Sequence, residues 1–246
     1  MNLKTDDPLA IAVVEAIHKG DVESLQRLLE ENPGLANARL GDPRDCKGMS
    51  RSLLHVATDW PGHFPNAGAT VTTLIAAGAD VDARFTGPHT ETPLHWAASS
   101  DDVATLDALL DGGADMEAPG AVIGGGTPLA DAVGFGQWKA ARRLLVERGA
   151  RTTLAQAAAL GLMDRVAEHF VGKTAPTPDQ INHAFWYACH GGQQLAAEYL
   201  LERGAELNWI PGWEKRTPLD AARRSHANAV VEWLRNHGAK SAEQLK

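Results

Sequence analysis

His63 follows Asp59 by four residues and His89 precedes Glu91 by two, so two imidazoles stand beside carboxylates within short stretches of chain. With His190 they supply the groups of general acid–base chemistry or of metal ligation. Metal spacing is absent: the sequence holds no HExxH, no CxxC and no histidine pair at i and i+4. Cys189 and His190 suggest a thiol nucleophile, but neighbours on a helix point about 100 degrees apart and cannot bond to one another. The glycine run from Gly120 to Gly126 suggests a phosphate cradle, yet it lacks the Lys-Ser/Thr ending and follows a turn instead of a strand. No GxSxG is present. These observations assign no catalytic residue and no cofactor. They leave a chemistry of binding, in which Trp60, Phe64, Trp96, Phe135 and Trp213 are large apolar contacts among the polar groups.

The elements that must hold these residues recur along the chain. TPLHWAASSDDVATLDALLDGGAD runs from Thr92 to Asp115, and TPLADAVGFGQWKAARRLLVERGA from Thr127 to Ala150. Weaker copies begin at Ser52, Ala184 and Thr217. Pro93 and Pro128 are 35 residues apart, Gly78, Gly113 and Gly149 are spaced by 35 and 36, and Gly204 and Gly238 by 34. Thr before Pro reads as an N-cap followed by the first helical residue, where the missing N–H costs nothing. The alanine pairs at 97–98, 157–158 and 221–222 keep one helix face thin. The leucine pairs at 28–29, 109–110, 144–145 and 200–201 supply core, and the glycine after each pair suits a left-handed C-cap. Seven units are expected, starting near Asp7, Ser52, Thr92, Thr127, Thr152, His183 and Thr217.

A period near this value with Thr-Pro-Leu-His-x-Ala resembles the ankyrin repeat, of about 33 residues, and the resemblance covers nearly the whole chain. It implies an all-α solenoid of stacked helix–turn–helix units with finger loops. The reading is a single domain over 1–246, with an N-terminal capping unit at 1–50, central repeats at 51–215 and a C-terminal cap at 216–246. A degenerate unit falls near 152–181, because Gly149 to Gly204 is 55 residues where two units need about 66. After Phe170 the segment GKTAPTPDQ reads as an irregular loop.

The resemblance further implies that ligands meet a concave face, made by the loop tips before each Thr-Pro and the last turn of each first helix. Here that face carries Asp59, Trp60, His63, Phe64, His89, Glu91, Trp96, Ser99, Ser100, Phe135, His190 and Trp213. The insertion WPGHFPNAGAT at 60–70 and the fingers FTGPHTE and APGAVIGGG are expected to wall a pocket in units two to four. His55 and His95 stand in the motif's own histidine position, which implies a bond to the neighbouring turn backbone. Trp209 and Trp213, in NWIPGWEK, make a second contact patch or clasp each other. The implied function is a binding module for a protein or peptide. The alternative is a small-molecule binder or enzyme.

Composition narrows the partners. The 246 residues are 44% hydrophobic with a net charge of −8 and hold no basic block, so nucleic acid is not expected. Two cysteines, a polar start and the lack of a run of about 20 apolar residues lead to the expectation of a cytoplasmic chain with free thiols and no membrane contact.

Overall fold

The computed structural model describes residues 1–41, 48–171 and 175–246. Cys46, Gly172 to Thr174 and the side chain of Leu145 lie outside the described residues.

Fourteen α-helices are present among the described residues, arranged as seven antiparallel pairs. In order they are α1 (Pro8–Lys19), α2 (Val22–Glu31), α3 (Leu53–Ala57), α4 (Ala67–Ala76), α5 (Pro93–Ser99), α6 (Val103–Asp111), α7 (Pro128–Phe135), α8 (Trp138–Arg142), α9 (Leu154–Ala159), α10 (Met163–Val171), α11 (Pro178–His190), α12 (Gln194–Leu201), α13 (Pro218–Arg224) and α14 (Asn228–Asn236). A π-helical turn, Arg143–Glu147, continues α8. Among the described residues sheet is limited to two-residue strands, β1 (Asn2–Leu3), β2 (Arg39–Leu40) and β3 (Arg51–Ser52), with β2 central, parallel to β1 and antiparallel to β3, and to one bridge between Ser50 and Thr86.

The chain forms two compact units, residues 1–150 with four helix pairs and 151–246 with three. Inside the first unit, α1 packs on α3, α3 on α5 and α5 on α7, while α2, α4, α6 and α8 make a parallel row. The second unit repeats the plan with α9, α11 and α13 in one row and α10, α12 and α14 in the other. Thin faces make this stacking possible: Ala97, Ala98, Ala157, Ala158, Ala221 and Ala222 are all buried.

Each helix start is set by local chemistry. The Thr217 hydroxyl accepts from Asp220 N at 3.3 Å, and the Thr92 N–H donates to His95 Nδ1 at 3.1 Å. After the second helices, Gly78, Gly113, Gly149, Gly204 and Gly238 have φ between 82 and 95 degrees, a conformation that favours glycine.

Two expectations change. The sixth unit starts at Thr177-Pro178 and not near His183, because Thr177 and Gln180 close a capping box: Gln180 Oε1 accepts from Thr177 N at 2.9 Å. Its first helix therefore has 13 residues: Pro176 stays in the expected loop, whereas Pro178 begins the helix. In the leucine pairs, Leu109, Leu144 and Leu200 are buried while Leu110 and Leu201 are only half-buried. The 100-degree step between helical neighbours lets one member face the core.

Candidate functional site

At the N-terminal end of α5 the finger 85–91 turns back over the first helices. Phe85 N donates to Glu91 O at 2.8 Å, and the Phe85 ring stacks on His89 with centroids 4.8 Å apart. Phe85 also meets Trp96 at 5.5 Å, and Trp96 meets His55 edge-on at 4.8 Å. Glu91, 4% exposed, organises the group. It accepts from Trp96 Nε1 at 2.9 Å and from Val122 N at 3.4 Å, and His89 Nδ1 lies 2.7 Å from its Oε2. Asp131 on α7 is fully buried, takes Ile123 N at 3.0 Å and has its Oδ2 enclosed without a hydrogen-bond donor among the described residues. Burial, together with the Glu91 carboxyl, pushes Asp131 up to about 8, so it is a neutral acid at pH 7.

A different group forms where first helices end. The loop after α3 is docked onto its neighbours: His63 N donates to Asp102 Oδ2 at 2.8 Å, His63 Nε2 reaches Ser100 O at 3.1 Å, and Asn66 Nδ2 donates to Gly20 O at 3.0 Å. A Cβ on Gly20 would sit 2.0 Å from Pro65 O, so only glycine allows this approach. His63 and Asn66 adopt left-handed φ of 58 and 51 degrees, at a cost of about 1 kcal/mol each. Phe64 stacks on His18 at 4.5 Å, and Asp59 is ion-paired with Arg51. Trp60 is left 80% exposed. Further along the row, Gln137 Nε2 donates to Ser99 O at 2.9 Å, and Phe135 is 45% exposed beside it in sequence at the end of α7.

The second unit has its own aromatic cluster. Trp209 and Trp213 meet edge-to-face at 5.7 Å, and both rings contact His183, Trp213 at 4.6 Å. Trp213 is 58% exposed, beside an exposed Ile210. Burial lowers His183 and raises Tyr187, which packs on it at 5.0 Å, so both rings are neutral at pH 7. His190 is buried, with Nδ1 2.7 Å from Ser225 Oγ. Cys189 is buried as well, and burial raises its thiol far above the range where a thiolate forms.

Residues 55–156 match a family model described as ankyrin repeats, in three copies. An ankyrin repeat and KH domain-containing protein of Caenorhabditis briggsae is 32% identical over 190 residues, a match that takes in 72% of this chain and 7% of that protein. The crystal structure of the human ASB11 ankyrin repeat domain superposes with a TM-score of 0.52 at 23% identity, covering 97% of this chain and 91% of that one. This chain is an ankyrin repeat protein. Ankyrin repeats serve generally as protein-interaction modules. No helix among the described residues is long and apolar enough to cross a membrane.

In this ankyrin repeat protein the motif histidines bond forward to the turn of the next unit. His55 Nε2 donates to Glu91 O at 3.1 Å and His95 Nε2 to Gly126 O at 3.4 Å, while each Nδ1 faces the N–H of its own helix cap. Burial holds His55 down to about 3 and His95 to about 4, so both stay neutral. Trp186 takes over the task in the sixth repeat, its Nε1 donating to Arg216 O at 3.0 Å. The three acceptors share one place, the residue before the next Thr. The first unit thus divides the sequence-derived site residues between two ends of its helices. Glu91 precedes α5 and Ser99 closes it, a separation of about 10 Å at 1.5 Å per residue. His89, Glu91 and Trp96 gather at the finger end. Trp60, His63, Ser99 and Ser100 lie at the turn end, with Asp59 and Phe64 packed there. Phe85, Asp131, His183 and Tyr187 belong to these groups without having been singled out by sequence. Asp131 carried a signal, since it is an acid at the register where the preceding repeat has Trp96.

Proposed function

We propose that this ankyrin repeat protein is a cytoplasmic binding module that takes a protein or peptide partner on its repeat surface, with Trp60 as an anchor. The observation that carries the reading is Trp60 itself: 80% exposed, on a loop fixed by three hydrogen bonds to neighbouring repeats and by two left-handed residues. A large ring carried on a fixed loop spares a partner the entropy cost of ordering the backbone, and tryptophan is enriched among residues that dominate interface energies. Exposed Phe135 and the Trp213–Ile210 patch are further apolar contacts of the same kind. The concave face named by the ankyrin resemblance remains the proposed side for these contacts. Against an enzyme reading stands the use made of Glu91 and Asp131, which are buried and accept from Trp96, Val122 and Ile123.

A photo-crosslinking residue at position 60, with one at Lys139 as control, identifies the partner in lysate, and purified partner is then titrated against Trp60→Ala. The expected outcome is capture from position 60 alone and an affinity loss of about 30-fold, the equivalent of about 2 kcal/mol, with an unchanged melting temperature. Unaltered affinity in Trp60→Ala would remove Trp60 from the interface.

A further inference from the structure

We propose that Glu91 and Asp131 share one proton that latches the finger loop 119–126 onto the repeat stack, and that rising pH withdraws the proton and loosens the loop. The latch is a property of the fold and holds whatever the partner is.

The geometry comes first. Loop 119–126 has no titratable side chain and is closed on itself by backbone bonds such as Gly120 N to Gly125 O at 3.1 Å and Ala121 N to Gly126 O at 3.0 Å, so it moves as one piece. Arg84 holds its Pro119 carbonyl and His95 its Gly126 carbonyl, and between them two adjacent amides are held by carboxyls, Val122 N by Glu91 Oε1 and Ile123 N by Asp131 Oδ1. The two carboxyls belong to different repeats, one just before α5 and the other in the first turn of α7. Both are buried, they take neighbouring amides of one loop, and Asp131 Oδ2 is enclosed without a hydrogen-bond donor among the described residues. Two carboxylates held by adjacent amides away from water repel, and one proton on the pair removes the repulsion. Glu91 already accepts from Trp96 Nε1 and has His89 Nδ1 at 2.7 Å, whereas Asp131 accepts only Ile123 N and is completely enclosed. The proton therefore resides on Asp131.

The surrounding charges do not replace it. From the finger, His89 touches Glu91, and Arg84 spends its guanidinium on the carbonyls of Thr90 and Pro119. From α5, His95 is neutral and turned to Gly126 O; from α3, His55 is neutral and turned to the Glu91 carbonyl. Asp131 is the one titratable residue of α7.

The sign follows from linkage. In the closed loop Asp131 holds its proton up to about pH 8, whereas in an opened, hydrated loop it would ionise near its ordinary 3.8. Opening thus releases a proton between these limits, and the opening constant rises up to tenfold per pH unit across the window, levelling above pH 8.

The test is amide hydrogen exchange of Val122 and Ile123 in the intact chain from pH 5 to 9, corrected for intrinsic exchange, with the Asp131 carboxyl carbon followed by NMR. The expected result is a carboxyl midpoint near 8 and opening constants that climb with pH to that point. Asp131→Asn, which stays neutral at every pH, should flatten the climb. A carboxyl midpoint below 5, or pH-independent opening in the unaltered chain, would overturn the latch. An equal climb in Asp131→Asn would overturn it too, by assigning the proton to a histidine. The carboxyl titration needs no variant and decides the matter even if Asp131→Asn fails to fold.

Discussion

Single polar atoms decide how neighbouring repeats are joined. Trp186→Phe removes the N–H donated to Arg216 O together with part of the buried indole, so it should cost about 1–3 kcal/mol, from the lost bond and the space left behind. Urea unfolding of the two chains measures it, and a loss below about 0.5 kcal/mol would mean that water replaces the bond. His55 and His95 carry a pH signature. Their folded-state values lie near 3 and 4, below the ordinary 6.5, so the unfolded chain binds more protons under pH 6.5. Their contribution is complete above that pH and falls by up to about 1.4 kcal/mol per pH unit for each histidine as acid is added. Denaturant midpoints for the native chain and His95→Asn between pH 7 and 4 should therefore converge. The motif made both histidines legible in the sequence. Trp186 stands at the register of the motif histidine, but its N–H pairing needed coordinates, because a tryptophan there is equally compatible with packing alone.

At the scale of helices and loops, the repeat period carried most of the information. Thr-Pro starts, alanine faces and glycine closers each fix one feature of a helix pair, and they agree with one another across the chain. The leucine pairs were legible only as pairs. Which member faces inward depends on helix phase: Leu109→Ala should cost about 2–5 kcal/mol and Leu110→Ala at most half as much. Thermal unfolding of the two variants separates them, and equal losses would contradict the assigned phase. The start of α11 was missed because Thr177-Pro178 follows directly on Pro176, although Gln180 completes the box three residues after Thr177. The candidate site was legible in its residue types and not in its grouping. A loop after a first helix and a finger before one lie at opposite ends of that helix, so Trp60 and His89 are near in repeat number and apart in space. Asp131 escaped because its meaning depends on Glu91, 40 residues earlier in the sequence.

Charge is distributed unevenly along the whole molecule. Residues 1–150 hold 21 of the 31 acidic residues and 12 of the 23 basic ones, whereas residues 151–246 are nearly balanced. Position matters as much as number, since phosphate binding draws on cations free to release counterions. Many of the arginines have other work. Arg39 donates to Ser50 O at 2.8 Å and Arg84 O at 2.7 Å. Arg148 pairs with Asp107 at 2.8 Å, and Arg143 pairs with Asp107 and Glu147. In the second unit, Arg216 and Arg224 share Glu214, and Arg203 lies 3.3 Å over the Tyr199 ring. Engaging a polyanion would mean breaking these contacts while approaching an acidic first unit. The chain should therefore leave single- and double-stranded DNA and RNA unshifted in a mobility assay at micromolar protein and physiological salt. A salt-sensitive shift under those conditions would contradict the argument. A partner that docks on the first unit is expected to be neutral or basic, with an association rate that falls as salt is added, because screening removes the steering field of the acidic surface.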